Sequence, residues 1–153
     1  MLGYEARQKP PQPLWYARLP IRGDWATARD AGFTRCVRIT RTVRCRRENL
    51  SFAGIGPFNG ALDLRHPDGG GGFHQLTLWH PGDQKMVGSV GRLLKAGGWS
   101  LCRTGPTEFR GDQEIYTRPG APVRFSIDIS YWGKRRLRIL PEHGQPTGHC
   151  WST

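Results

Sequence analysis

The stretch Arg35-Cys36-Val37-Arg38-Ile39-Thr40-Arg41-Thr42-Val43-Arg44-Cys45-Arg46-Arg47, RCVRITRTVRCRR, holds six arginines and two cysteines in thirteen residues, with no acid among them. Two readings compete for it. The first is a cationic hairpin closed by Cys36 and Cys45, which requires a turn at Thr40-Arg41. Neither residue suits the positive φ angles of tight hairpin turns. The faces then mix, with Val43 beside Arg38 and Ile39 beside Arg44. The second is a single strand. Val37, Ile39, Val43 and Cys45 then share one face, with Arg41 the only misfit, and Cys36, Arg38, Thr40, Thr42 and Arg44 share the other. The alternation is cleaner, and β-branched residues suit a strand, so one strand is the expectation. A separation of nine is odd, which sends Cys36 and Cys45 to opposite faces and forbids a bridge between them. In Trp99-Ser100-Leu101-Cys102-Arg103 the apolar face takes Trp99 and Leu101, so Cys102 points outward like Cys36. If a bridge forms, the expected pair is Cys36–Cys102, with Cys45 buried or meeting Cys150.

Outward from this stretch, the chain is a series of short alternating runs separated by turn signals, the pattern of an all-β domain. Candidate strands cover residues 34–45, 49–55, 60–66, 73–80, 84–94, 98–104, 112–117, 122–132 and 135–140. No segment shows sustained helical periodicity with caps; residues 92–97 offer at most one helical turn, ended by Gly97-Gly98. Gly88 and Gly91 inside the 84–94 run read as a bend or bulge at a barrel corner. Near the C-terminus, Val123, Phe125, Ile127 and Ile129 alternate with Arg124, Ser126 and Asp128, and Leu137 and Ile139 alternate with Arg136 and Arg138. A three-residue loop sets Ile129 against Leu137 and Ile127 against Ile139, which keeps the apolar side chains together. The same register sets Asp128 against Arg138.

The 153 residues suit one domain. Residues 1–22 form a proline-rich arm with Pro10, Pro11, Pro13 and Pro20, residues 23–141 the β domain, and residues 142–153 an irregular tail. The net charge is +11, carried almost entirely by arginine, since lysine occurs only at positions 9, 85, 95 and 134. Arginine forks onto phosphate or carboxylate better than lysine does. No apolar run approaches the roughly 20 residues that span a bilayer, so the protein is not expected to be integral to a membrane. The first twenty residues show no export signal. The four cysteines nonetheless favour a periplasmic or secreted location, with cytoplasm as the alternative.

Gly23-Asp24-Trp25 before the strands, with arginines in the last one, resembles lipocalin-like (calycin) β-barrels. That resemblance implies an eight-stranded barrel with an apolar cup, a non-enzymatic binding role, and a Trp25 indole packed on Arg136 or Arg138. The loop Arg29-Asp30-Ala31-Gly32 between the tryptophan and the first long strand departs from the pattern.

Chemistry-bearing motifs are sparse. His66, His74, His80, His143, His149 and Cys150 lack the short spacings of a metal site. The Gly69–Gly72 run has no Lys-Ser/Thr after it, which argues against a phosphate loop. Ser89 and Ser100 lie outside any Gly-x-Ser-x-Gly elbow. Aromatic residues interleave with arginine at Phe33/Arg35, Trp99/Arg103 and Tyr131–Arg138, as in single-strand nucleic-acid binders, but at strand spacing such aromatics serve a core more often.

The fold expectation is therefore an all-β domain, a small antiparallel barrel or a two-sheet sandwich with a proline-rich N-terminal arm. The functional expectation is a non-catalytic binding or accessory protein without a cofactor. Arg38, Arg44, Arg46 and Arg47, with Arg124, Arg135, Arg136 and Arg138, would hold an anionic partner: an acidic protein face, an envelope polysaccharide or a lipid headgroup. A small apolar ligand in a barrel cup is a variant of that reading. Trp25, Cys36 and Cys102 take structural roles. The alternatives are a single-stranded nucleic-acid-binding β domain and a hydrolase or metalloenzyme.

Overall fold

The computed structural model describes residues 12–66, 68–105, 112–129 and 135–142. It is mostly antiparallel β-structure. A small hairpin, β1 (Leu14–Tyr16) and β2 (Leu19–Arg22), leads into a short helix, α1 (Trp25–Asp30). Four strands follow as a meander: β3 (Arg35–Ile39), β4 (Thr42–Phe52), β5 (Ile55–Arg65) and β6 (Phe73–Trp79). Helix α2 (Lys85–Ala96) crosses to a second meander of β7 (Ser100–Arg103), β8 (Gln113–Thr117), β9 (Val123–Asp128) and β10 (Leu137–Pro141). The two meanders join because β10 pairs with β6, giving one eight-stranded antiparallel sheet in the order β3-β4-β5-β6-β10-β9-β8-β7. The sheet is open, with β3 and β7 at its edges.

One face of this sheet is the core face. Cys45, Leu62, Leu76, Ile139, Phe125 and Tyr116 are cross-strand neighbours in a single row, and each is 1% exposed or less. Burying an apolar side chain of this size contributes about 1.5–3 kcal/mol, and the row is covered by α1, α2 and the β1–β2 hairpin. The hairpin occupies the second half of the expected extended arm; residues 1–11 lie outside the described part. Leu19 and Ile21 are buried in the core, and Tyr16 packs with Phe52, Trp99 and Phe125 in an aromatic cluster. Phe33 and Trp99 are therefore core residues, while Tyr131 lies outside the described residues.

The arginine-rich stretch over residues 35–47 is a hairpin and not one strand. Arg35–Ile39 and Thr42–Phe52 pair antiparallel about Thr40-Arg41, with Ile39 opposite Thr42 and Cys36 opposite Cys45. Thr40 takes φ +48°, the left-handed conformation that argued against this turn. Cys36 and Cys45 form a disulfide, so the expected Cys36–Cys102 bridge is excluded. Cys102 is on β7, at the other edge of the sheet, and shares a face with Ile115 and Ser126, opposite to that of Cys36. An odd separation forbids a bridge within one straight strand. Across a two-residue turn it is the separation that places two residues directly opposite.

The strand expected over residues 84–94 is also replaced: Lys85–Ala96 is the helix α2. Val87, Val90 and Leu94 are buried on one side of α2, and Gly91 completes that stripe. A Cβ at Gly91 would sit 2.9 Å from the Tyr116 hydroxyl oxygen, so glycine permits helix and sheet to meet. Gly91, read as part of a barrel corner, serves helix packing instead, whereas a Cβ at Gly88 would meet only the Arg92 guanidinium at 3.8 Å. In the C-terminal hairpin, Leu137 lies opposite Ile127 and Ile139 opposite Phe125, two residues from the expected register. A shift of two preserves the faces.

Two outcomes check this packing. Gly60 faces the core, and a Cβ there would lie 3.1 Å from Leu78 Cδ2 and closer still to Leu50. Gly60→Val is expected to lower stability by about 1–3 kcal/mol, measured by urea denaturation, with the β signature in circular dichroism retained. Asp24 caps α1: its carboxylate accepts from the Thr27 backbone N–H at 3.1 Å. That hydrogen bond holds its pKa below the ordinary 3.8. A depressed folded-state pKa adds stability above the unfolded value, and that stability is lost as pH falls through the folded one. Asp24→Ala should therefore cost about 1 kcal/mol at pH 7 and less at pH 3, measured by denaturation at both.

Candidate anion-binding face

The second face of the sheet collects the other half of every alternation. Arg35, Arg46, Ala61, Thr77, Arg138 and Ser126 form one cross-strand row from β3 to β9. Arg44, Asp63 and Gln75 run beside it. On its other side Asn59 pairs with Trp79. Arg136 follows Trp79 in that row, one step from the Leu78–Leu137 pair. None of the described residues on these strands that face this way belongs to the buried core cluster.

Side-chain size gives this face its shape. Ala61 and Thr77 are short and adjacent at its centre, while Arg44, Arg46, Gln75, Trp79, Arg136 and Arg138 stand around them. The result is a depression of about 380 Å³ with an Ala61–Thr77 floor and arginine walls. Two further depressions continue it. One, of about 440 Å³, shares Gln75 and Arg138 and extends to Arg124, Gln113 and Ser126. The other, of about 150 Å³, shares Arg46 and Trp79 and extends to Arg35 and Asn59. Together they make a trough across the sheet.

The four central guanidiniums are not equivalent. Arg44 donates to Asp63 through Nε at 2.7 Å and Nη2 at 3.4 Å, and Gln75 donates to the same carboxylate at 3.3 Å. The hydrogen bond to Asp63, reinforced by its charge, pushes the Arg44 pKa up against the opposing effect of burial. Asp63 is only 5% exposed, so this pair is built into the wall. Arg138 donates to Asp128 at 2.7 Å, the pairing expected from sequence but reached diagonally, because Ser126 lies directly opposite Arg138. Arg46 and Arg136 have no ion pair among the described residues. The depression thus keeps two guanidiniums beyond those its carboxylates neutralise.

The other sequence-derived arginines stand outside the central depression, though Arg124 and Arg47 border its two extensions. Arg47 points to the core side and donates to the Ala31 carbonyl at 2.6 Å, closing the end of α1. Arg38 lies opposite Val43, on the core-facing side of the β3–β4 hairpin. Arg135 donates its backbone N–H to the Gln84 side chain. Arg124 is on the trough face but is held by the Pro141 carbonyl at 3.2 Å and by Glu142 at 3.6 Å. Trp25 opens α1 against Gly69, away from Arg136 and Arg138. Trp79, Gln75, Thr77 and Arg35 were missed as site residues. The signal was present: residues 75, 77 and 79 alternate with Leu76 and Leu78 and so face away from the core.

No group of three or more histidine, cysteine, aspartate or glutamate side chains suited to a metal occurs among the described residues; His143, His149 and Cys150 lie outside them. No described helix is long and apolar enough to cross a membrane. The trough offers guanidinium, amide, hydroxyl and indole groups; Asp63 and Asp128 beside the central depression, and Glu48 at its β3–β4 end, are each paired with an arginine. Comparison of the chain with protein-family models, curated proteins and solved structures finds no match.

The walls divide into fixed and available arginines, which stability measurements can separate. Asp63→Ala removes the acceptor of three hydrogen bonds and is expected to cost about 1–3 kcal/mol. Arg46→Ala should fall within about 0.5 kcal/mol of wild type. Urea denaturation of the two variants tests the contrast.

Proposed function

We propose that this protein is a non-catalytic binding module that holds an anionic ligand along the open face of its sheet. The observation that carries the reading is the meeting of Arg44 and Arg46 with Arg136 and Arg138. Some ninety residues apart in sequence, they surround one depression, and Arg46 and Arg136 have no acidic partner among the described residues. Asp63 and Asp128 hold the other two in place, so part of the cost of ordering the site is met before the ligand arrives. Arginine's planar fork suits phosphate, sulfate and carboxylate alike. The Cys36–Cys45 bridge is compatible with an oxidising compartment, and a periplasmic or secreted location belongs to this reading.

Fluorescein-labelled heparin provides a general polyanion probe. Its affinity at low salt, measured by anisotropy, is expected to drop at least tenfold in the Arg46→Ala/Arg136→Ala double variant. Arg38→Ala, which lies off the trough, should leave it unchanged. Equal binding by wild type and the double variant would overturn the proposal.

A further inference from the structure

We infer that the ligand of the trough is single-stranded nucleic acid, with one base stacked on Trp79 and its flanking phosphates held by Arg46 and Arg136. This inference rests on the anion-binding reading and names the ligand class. Three observations lead to it. Trp79 is the aromatic side chain of the central depression. It is half-buried, and it is shared with the neighbouring depression through Arg46. An indole face beside two available guanidiniums joins a stacking platform to phosphate ligands, the combination on which single-strand binders depend. Second, the recess above Ala61 and Thr77, about 380 Å³, admits a group that protrudes from a chain, as a splayed base does. A flat bilayer surface or a convex protein face would leave it unfilled, and an acidic polysaccharide supplies charge without a planar ring. Third, the depressions continue from β4 to β8. Six adjacent strands span roughly 24 Å at about 4.8 Å each, enough for about four nucleotides, the lower end of the site sizes of such domains. Asn59, Gln75 and Thr77 add neutral donors and acceptors along the way, suited to base edges and sugar hydroxyls.

The test uses the full chain with uridine monophosphate and labelled oligo(U) of two, four, eight and twelve nucleotides, and heparin in parallel. Affinity should climb steeply up to about four nucleotides and only slowly beyond. Four phosphate contacts predict a log–log salt slope near −3 for a single strand, reduced by about 1.4 in the Arg46→Ala/Arg136→Ala variant. Trp79→Ala should weaken octamer binding about tenfold, and Trp79→Phe should retain most of it, with circular dichroism reporting the fold of each. Stacking should also quench a share of the tryptophan fluorescence that Trp79→Phe no longer shows. Heparin binding without oligonucleotide binding would overturn this inference and leave the anion-binding function standing. Failure of both probes would overturn both. Monophosphate binding as tight as the octamer would replace the strand with a free nucleotide, and an unchanged affinity in Trp79→Ala would remove the stacking platform.

Discussion

The open face exists because the other face of the same sheet is shut. The row from Cys45 to Tyr116 is sealed against water by two helices and a hairpin, and strands alternate strictly between two sides. Once Leu62 and Leu76 are committed to the core, Ala61, Asp63, Gln75 and Thr77 have no freedom left. A slip of one residue anywhere in the central strands would bury guanidiniums and expose leucines. That cost pins the register, and the register places every arginine of the trough.

Sidedness alone does not make a site. The depression needs short side chains at its centre, and Ala61 and Thr77 provide them where β5 meets β6. It also needs the cations at its walls to stay extended while repelling one another. Asp63 and Asp128 serve that end: each engages one guanidinium, which lowers the mutual repulsion without discharging the site. The two arginines left over, Arg46 and Arg136, stand on opposite sides of the short floor.

The sequence was most legible where alternation was longest. Residues 73–79 and 113–117 are strands close to their expected bounds, the strand expected over 122–132 covers 123–128 among the described residues, and the outward sorting of Arg44, Arg46, Arg124, Arg136 and Arg138 holds. Legibility failed where two structures share one pattern. In residues 35–47 a strand and a hairpin differ by a single turn, and the composition of Thr40-Arg41 pointed the wrong way, because pairing across eleven-residue β4 and the Cys36–Cys45 bridge outweighs the cost of one positive φ. In residues 85–96 valine and glycine suited a strand, yet Val87, Val90 and Leu94 fall on one helical face once Gly91 is counted as part of the buried stripe. A glycine carries no hydropathy signal, so the stripe looked broken.

Where a run was a single uninterrupted strand, as at 73–79 and 123–128, the sequence by itself determined which side chains turn away from the core, since that follows from local alternation and the free energy of burial. At 35–39 the turn reversed it, leaving Val37 and Ile39 exposed. Which outward-facing side chains become neighbours was decided only by the tertiary structure. Arg46 and Arg136 belong to different meanders, and they share a depression because β10 pairs with β6. That pairing depends on the helix crossing, the loop lengths and the fit of Leu137 and Ile139 against Leu78 and Leu76. These are non-local constraints, and no window of sequence contains both partners.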